Sequence, residues 1–387
     1  MDQNQAIAAF IEEKKEEMLA LWKELVNLES YVGEADHVTA VLRRVQQELE
    51  AEGFDCRLVE VGGGWAGTLV GTLGADRPGK PILFSGHLDT VFPAGSWGPA
   101  PFRIEDGKAY GPGALDMKGG VVIALYVAKA LNHIGYRQTP IKVIFSGNEE
   151  KGHVGSTGDQ VFLEEARGCQ FAFNMETGLH TGELCVGRKG HLGCHVEVTG
   201  IESHAGNDFE SAIEEAAHKI LAIQALTDLE EGTTVNVGVI QGGTVPNAVP
   251  GSCRFEVDIR VAKEEGRSRI KRMLPPIVEH CTVPGTSATY AFDGDSPIYE
   301  TTEKVEAFYD FCCQVAKDHG FPVPGRRVLG GFSDAAYVML AGTPVICSFG
   351  VRGQWNHTKR EYALVDTLFQ RANYIAAIVL DHEKFQG

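Results

Sequence analysis

The chain has 387 residues, 43% hydrophobic and 22% charged, an ordinary globular composition with enough length for two or three domains and sizeable cores. Asp and Glu outnumber Lys and Arg by 52 to 35, and the net charge of −17 disfavours nucleic-acid phosphates and anionic membrane surfaces as partners. The N-terminal segment is polar and acidic where a signal peptide needs an apolar core, and no run of about eighteen apolar residues offers a membrane span, so a cytoplasmic protein is expected. Nine scattered cysteines (56, 169, 185, 194, 253, 281, 312, 313, 347) without a Cys-x-x-Cys pair read as reduced, buried thiols rather than a disulfide frame or a structural zinc site.

In chain order, Ile7, Phe10, Ile11, Met18, Leu21, Trp22, Leu25 and Val26 share one face of an opening helix, and a second helix is predicted over 37–53. Apolar strands follow at 82–84, 141–145 and 171–173, with a buried helix at 120–131 between the first two. Strand–helix–strand repeats of this kind predict an α/β domain with a mostly parallel sheet covered on both faces. From about residue 184 the rhythm changes to strand 191–198, helix 211–226, strands 234–240 and 253–261, helix 264–279 and strand 287–292. That is the β-α-β-β-α-β order of a ferredoxin-like α+β module. Helices at 305–319 and 333–341, a strand at 345–349 and a closing helix at 364–381 return to the first pattern. The expected architecture is a discontinuous α/β domain, 1–183 with 295–387, interrupted by an α+β domain over 184–294.

Five acid or histidine clusters sit at or beyond predicted strand ends, where open α/β sheets place ligands. In Gly86-His87-Leu88-Asp89 an extended backbone turns His87 and Asp89 to the same side, so Asp89 could hold one imidazole nitrogen while the other meets a metal. A lone His-x-Asp is more often structural. The glycine-rich run Gly111–Gly120 precedes a helix but matches neither dinucleotide nor P-loop spacing; Asp116 within it is either a helix cap or a side chain projecting into a site. Glu149-Glu150 is an acidic turn, or one metal ligand beside one base. Glu176 and His357 follow at two further segments, each near background when taken alone. Together His87, Asp116, Glu150, Glu176 and His357 supply two imidazoles and three carboxylates, a donor set suited to zinc and also to cobalt or manganese. Two divalent ions would leave such a site net positive, able to acidify a water and polarise a carbonyl.

The segments Gly86–Pro93, Tyr110–Gly120, Asn148–Gly152, Ser203-His204-Ala205-Gly206 and Gly330–Tyr337 resemble the co-catalytic dinuclear zinc exopeptidases and amidohydrolases. That family includes glutamate carboxypeptidase of the carboxypeptidase G type, succinyl-diaminopimelate desuccinylase, acetylornithine deacetylase and aminoacylase; the wording of the motifs resembles the carboxypeptidase G branch most. The resemblance implies two divalent ions bridged by Asp116, with His87 and Glu176 on one and Glu150 and His357 on the other. It implies Glu149 as the general base toward a bridging water, Asp89 orienting His87, and a cis Asp116–Met117 peptide. The inserted domain would be a lid and dimerisation domain, making a homodimer in which His204 stabilises an oxyanion in the partner's site. Asn247 and Arg260 would contact the carboxylate end of a small peptide or N-acyl amino acid. Phe332 stands where the family usually has a small residue, which would reshape the substrate pocket.

Overall fold

The opening helical face is built from two helices rather than one. α1 (Gln3–Glu13) and α2 (Lys15–Asn27) meet at a turn on Lys14, whose φ of −90° and ψ of 5° leave the helical region. The apolar period passes from Ile11 to Met18 in phase, so the pattern conceals the break. α3 (Ala35–Ala51) follows, burying Val38, Val41, Leu42, Val45 and Leu49. The first half of the chain continues through β1 (Asp55–Val59), β2 (Thr68–Leu73), β3 (Ile82–His87), α4 (Gly119–His133), β4 (Ile141–Ser146), α5 (Gly158–Glu165) and β5 (Phe171–Asn174). A second series runs β6 (Gly190–Thr199), α6 (Ala212–Gln224), β7 (Thr234–Gly242), β8 (Ser252–Val261), α7 (Glu264–Glu279) and β9 (Ser287–Asp293). The chain ends with α8 (Glu303–Asp318), α9 (Ala335–Leu340), β10 (Val345–Ile346) and α10 (Val365–Leu380).

This computed structural model describes residues 2–206 and 209–387 and divides into two units. The first is Met1–Gly187, Thr301–Val328 and Ser333–Gly387; the second is Arg188–Glu300 with Leu329–Phe332.

The main sheet of the first unit has the order β1–β2–β4–β3–β5–β10. β4, β3, β5 and β10 run parallel, and β3 is buried at every position, as a strand covered on both faces must be. β1 and β2 add an antiparallel edge to this mostly parallel sheet, since β1 pairs antiparallel with β2 and β2 with β4. Their link, residues 60–67, is shorter than the dozen or so residues of a parallel crossover, and it turns on Gly62, Gly63 and Gly64 at φ 72°, 66° and 77°. A further sheet of two- and three-residue strands joins Arg103–Glu105, Lys108–Tyr110, Tyr362–Leu364, Arg352–Gln354 and Gly178–Leu179 in that order. Strands so short carry no readable period.

α4 is buried along nearly its whole length, hence its uniformly apolar sequence. Gly120 in its first turn lies against the chain leaving β5, where a Cβ would collide with the Met175 carbonyl oxygen. This close approach brings the start of α4 beside the segment that carries Glu176.

The second unit is the β-α-β-β-α-β module, an antiparallel sheet in the order β7–β8–β6–β9. Along β8, Cys253, Phe255, Val257, Ile259 and Val261 pack with Ala212, Ala216 and Ile223 of α6 and Ile270, Leu274 and Val278 of α7. The alternate residues Glu256, Asp258 and Arg260 lie on the opposite, more exposed face. All nine cysteines are free. Among the described residues no helix is long and apolar enough to cross a membrane.

Gly120→Ala should cost about 1–3 kcal/mol through overpacking at a site with no room to relax. Thermal denaturation should show the loss as a lowered midpoint.

Candidate metal centre

The strands of the first unit deliver the candidate residues to one place. His87 is the last residue of β3; Glu149 and Glu150 open the turn after β4; Glu176 lies just beyond β5. Asp116 and His357 come instead from the small sheet. Asp116 lies in the turn 114–118 between Lys108–Tyr110 and α4, and His357 in the loop joining Arg352–Gln354 to Tyr362–Leu364. Asp116 is therefore not the helix cap: it is buried, with φ −117° and ψ 92°, and the Asp116–Met117 peptide is cis, as the resemblance implies.

Asp116 stands at the middle. Its Oδ1 is 3.3 Å from His87 Nε2 and its Oδ2 is 3.2 Å from His357 Nε2. His357 Nε2 is also 3.2 Å from Glu150 Oε2, and His87 Nε2 is 3.5 Å from Glu176 Oε1. Ligand-capable atoms of His87, Asp116 and Glu150 lie within 4.8 Å of one another, as do those of His87, Glu149 and Glu176. Glu149 Oε2 is farther from His87 Nε2, at 3.9 Å, than Asp116 or Glu176 is. Every member is nearly inaccessible except His357, whose side chain is 50% exposed and marks the side open to solvent.

Asp89 organises the group by a route different from the one its spacing suggests. His87 Nδ1 lies 3.0 Å from the main-chain oxygen of Asp89, with the carboxylate Oδ1 3.5 Å away. The Asp89 carboxylate accepts instead from the backbone N–H groups of Glu149 (3.2 Å) and Glu150 (2.9 Å). With Nδ1 donating to a carbonyl, Nε2 is the ring nitrogen of His87 turned to the acidic cluster, the atom a metal would engage.

Four buried carboxylates crowded together repel one another. Burial, reinforced by Glu176, Asp334 and Glu150, holds the Glu149 carboxyl well above the ordinary range although His87 pulls it down. Burial likewise pushes Glu150 up to about 7. Burial opposes the charge on Asp116, but His357 and His87 outweigh it and hold that carboxyl well below its usual range. His357 is pushed up to about 10 by its hydrogen bonds with Asp116 and Glu150. Burial works against the charge on His87 too, yet Glu149, Asp116, Asp89 and Glu176 together raise it well above the usual value. Glu150 Oε1 is buried without a hydrogen-bond partner in the protein. An acidic cluster with an unpartnered inward oxygen and two imidazoles fits a divalent cation, which would relieve the repulsion and accept a lone pair from that oxygen.

Two contributors to this arrangement escape a reading of the sequence. Glu361 is fully buried and its Oε1 accepts from the backbone N–H of Leu115 (2.9 Å) and of Asp116 (3.3 Å). Its place in a Lys-Arg-Glu run reads as solvated surface. Asn356 Nδ2 donates to Asp116 Oδ2 at 3.0 Å; only its position beside His357 hints at this. Lys118, the one residue that could have rescued a phosphate-loop reading of Gly111–Gly120, is buried and donates its Nζ to the Leu28 carbonyl at 2.8 Å.

The remaining candidates lie in the second unit. Ser203–His204 pairs with Ala248–Val249, and the Ala205 N–H donates to the carbonyl of Asn247 (3.0 Å), which lies in the turn just before the strand that pairs with His204. His204 is exposed and its Nδ1 accepts from the Gly206 N–H at 3.1 Å. Arg260 donates through Nε to both oxygens of Asp258, at 2.9 and 3.0 Å, with His191 opposite on β6 and 3.4 Å from Asp258 Oδ1. Phe332 is half-buried, and its carbonyl accepts from Arg188 Nη1 at 3.0 Å.

Residues 83–381 match the profile of peptidase family M20/M25/M40. The chain is 31% identical over 366 residues to carboxypeptidase G2 of a Pseudomonas species, spanning 93% of this chain and 88% of that protein. It is 28% identical over 368 residues to succinyl-diaminopimelate desuccinylase of Acidiphilium cryptum, spanning 90% of this chain and 94% of that protein. The fold matches the aminopeptidase PepT structure from Bacillus cereus with a TM-score of 0.80 at 23% identity, over 95% of this chain and 99% of that one. The chain belongs to peptidase family M20/M25/M40 and is a metal-dependent hydrolase.

Proposed function

We propose that this protein is a dinuclear zinc hydrolase that cleaves an amide bond next to a free carboxylate, in the manner of a glutamate carboxypeptidase. The observation that carries the reading is the division of Asp116 between two imidazoles, Oδ1 toward His87 and Oδ2 toward His357. A carboxylate so placed suits a bridge between two cations, His87 and Glu176 completing one ligand set and Glu150 and His357 the other. Two such cations, zinc or in its place cobalt or manganese, would supply Lewis acidity toward an amide carbonyl and toward a water.

The chain's own residues do the rest. Glu149 is the general base: its carboxylate stands beside the cluster, 3.9 Å from His87 Nε2, placed to take a proton from water and give it to the departing amine. Asp89 holds His87 in the tautomer that leaves Nε2 free and fixes the backbone of Glu149. Arg260, already oriented by Asp258, grips the substrate carboxylate, with Asn247 alongside; Phe332 shapes the specificity pocket. His204 stabilises the oxyanion across a homodimer formed through the Arg188–Glu300 unit, which thus acts as lid and dimerisation domain. Free cysteines throughout suit a cytoplasmic setting. The rival substrate class is an N-acyl amino acid, favoured by the likeness to the desuccinylase; it carries the same carboxylate.

Hydrolysis of peptides ending in glutamate, folyl-type amides, and acetylated and succinylated amino acids, assayed with zinc or cobalt, separates the two classes. C-terminal glutamate amides should be the best substrates, and preference for a succinyl or acetyl amine would overturn the carboxypeptidase reading. Elemental analysis should find two ions per chain, and Asp116→Ala should lose both. Chelation should lower the thermal midpoint, since a ligand at 100-fold over its Kd stabilises by about 2.7 kcal/mol. Glu149→Gln should keep its metal while kcat falls by about 10²–10⁴-fold.

A further inference from the structure

The turn that carries Glu149 and Glu150 is tied down by a buried histidine for which the chemistry above has no use. His153, 4% exposed, lies 2.6 Å through Nε2 from Asp334 Oδ1 and 2.9 Å through Nδ1 from Asn148 Oδ1. The Asn148 amide nitrogen donates to Ser156 Oγ at 2.8 Å, so its oxygen is the atom that faces the imidazole. Both ring nitrogens therefore donate, and the ring is a cation paired with the Asp334 carboxylate. Burial opposes that charge, but Asp334 outweighs it and raises the imidazole above its ordinary value. Asp334 Oδ2 in turn accepts from Ser146 Oγ (3.3 Å) at the end of β4, and Asp334 immediately precedes α9.

The loop 148–153 is thus closed on itself by His153, through the imidazole and through its own N–H, which donates to the Asn148 carbonyl at 3.4 Å. The same ring anchors the loop to β4 and α9. Phe162 and Tyr337 flank the ring with centroids 5.9 and 5.6 Å away, and Gly158 leaves it room: a Cβ there would collide with His153 Nδ1. Asp89 secures the Glu149 and Glu150 N–H groups; at the far end of the loop His153 is the side chain that ties it to Asp334, while Trp65 Nε1 donates to the next carbonyl, that of Val154, at 2.9 Å.

We propose that His153, acting through Asn148 and Asp334, is a positioning residue that holds the Glu149 carboxylate at its station beside His87. This rests on the reading of Glu149 as the general base. A tethered base must stay within hydrogen-bond reach of the proton it takes, and displacement of a supporting side chain by a fraction of an ångström is felt in kcat rather than in substrate affinity.

The test uses the metal-loaded protein and whichever substrate of the panel it hydrolyses fastest. His153→Ala should lower kcat by about 10–100-fold, the range seen when outer partners of a catalytic site are removed, while KM and metal content stay close to those of the parent. Added imidazole should restore part of the lost kcat in His153→Ala and none in Glu149→Gln. Gly158→Ala, which displaces the ring while leaving every polar group in place, should lower kcat in the same way and gain nothing from imidazole. A folded His153→Ala with parental kcat overturns the proposal, as does a loss of kcat that follows a loss of metal and resists imidazole. Should His153→Ala fail to fold, Gly158→Ala decides, and parental kcat in it overturns the proposal. A fully active Glu149→Gln would instead remove the base reading itself, whereas an inactive Glu149→Gln beside a fully active His153→Ala refutes the role of His153 alone.

Discussion

The first unit is organised around the desolvation of one carboxylate. Asp116 is buried, and leaving its oxygens unpaired there would cost several kcal/mol. The chain meets that demand from far away in sequence: His87 from the end of β3, and Asn356 and His357 from the small sheet near the C-terminus. Glu361 fixes the backbone around it by accepting from Leu115 and Asp116. The burial of α4, the glycine at position 120 and the short strands that carry the two outermost contributors all serve to bring these segments to one point. The imidazoles leave the cluster acidic, and it is this residual charge that makes a cation its natural complement.

What the sequence made legible follows the reach of periodicity. β3, β4 and β5 are apolar because both faces are covered, and β6 and β8 alternate because only one is; each pattern repeats often enough to be read. The turn at Lys14 was invisible because the apolar phase survives it. β1 and β2, joined by a glycine hairpin, and the two- and three-residue strands of the small sheet carry too little pattern to announce themselves. The candidate site positions were visible as chemistry, a histidine or an acid after a strand. Their supports were not. Glu361 looks like surface, Asn148 like a turn residue, and His153 like a bystander, because what makes each matter is a partner hundreds of residues away or a burial that no local composition encodes.

The second unit divides its labour by face. Alternation along β8 commits Phe255, Val257 and Ile259 to the helices and leaves Asp258 and Arg260 together on the other side. Asp258 lies two residues before Arg260 on the same strand, and the guanidinium is held there at its Nε. An arginine held in this way loses less side-chain freedom on meeting a carboxylate than a loose one would, so more of the ion-pair energy is available for recognition.

Asp89 has a consequence of a different kind. Its carbonyl oxygen receives the imidazole of His87, and its two carboxylate oxygens receive the N–H groups of Glu149 and Glu150. A single residue thus serves as the datum from which three others are measured. When the end of β3 shifts under thermal motion, His87 and the Glu149 turn shift with it, and the displacement is common to both. The spacing between them, rather than the place of either, is what the fold keeps constant.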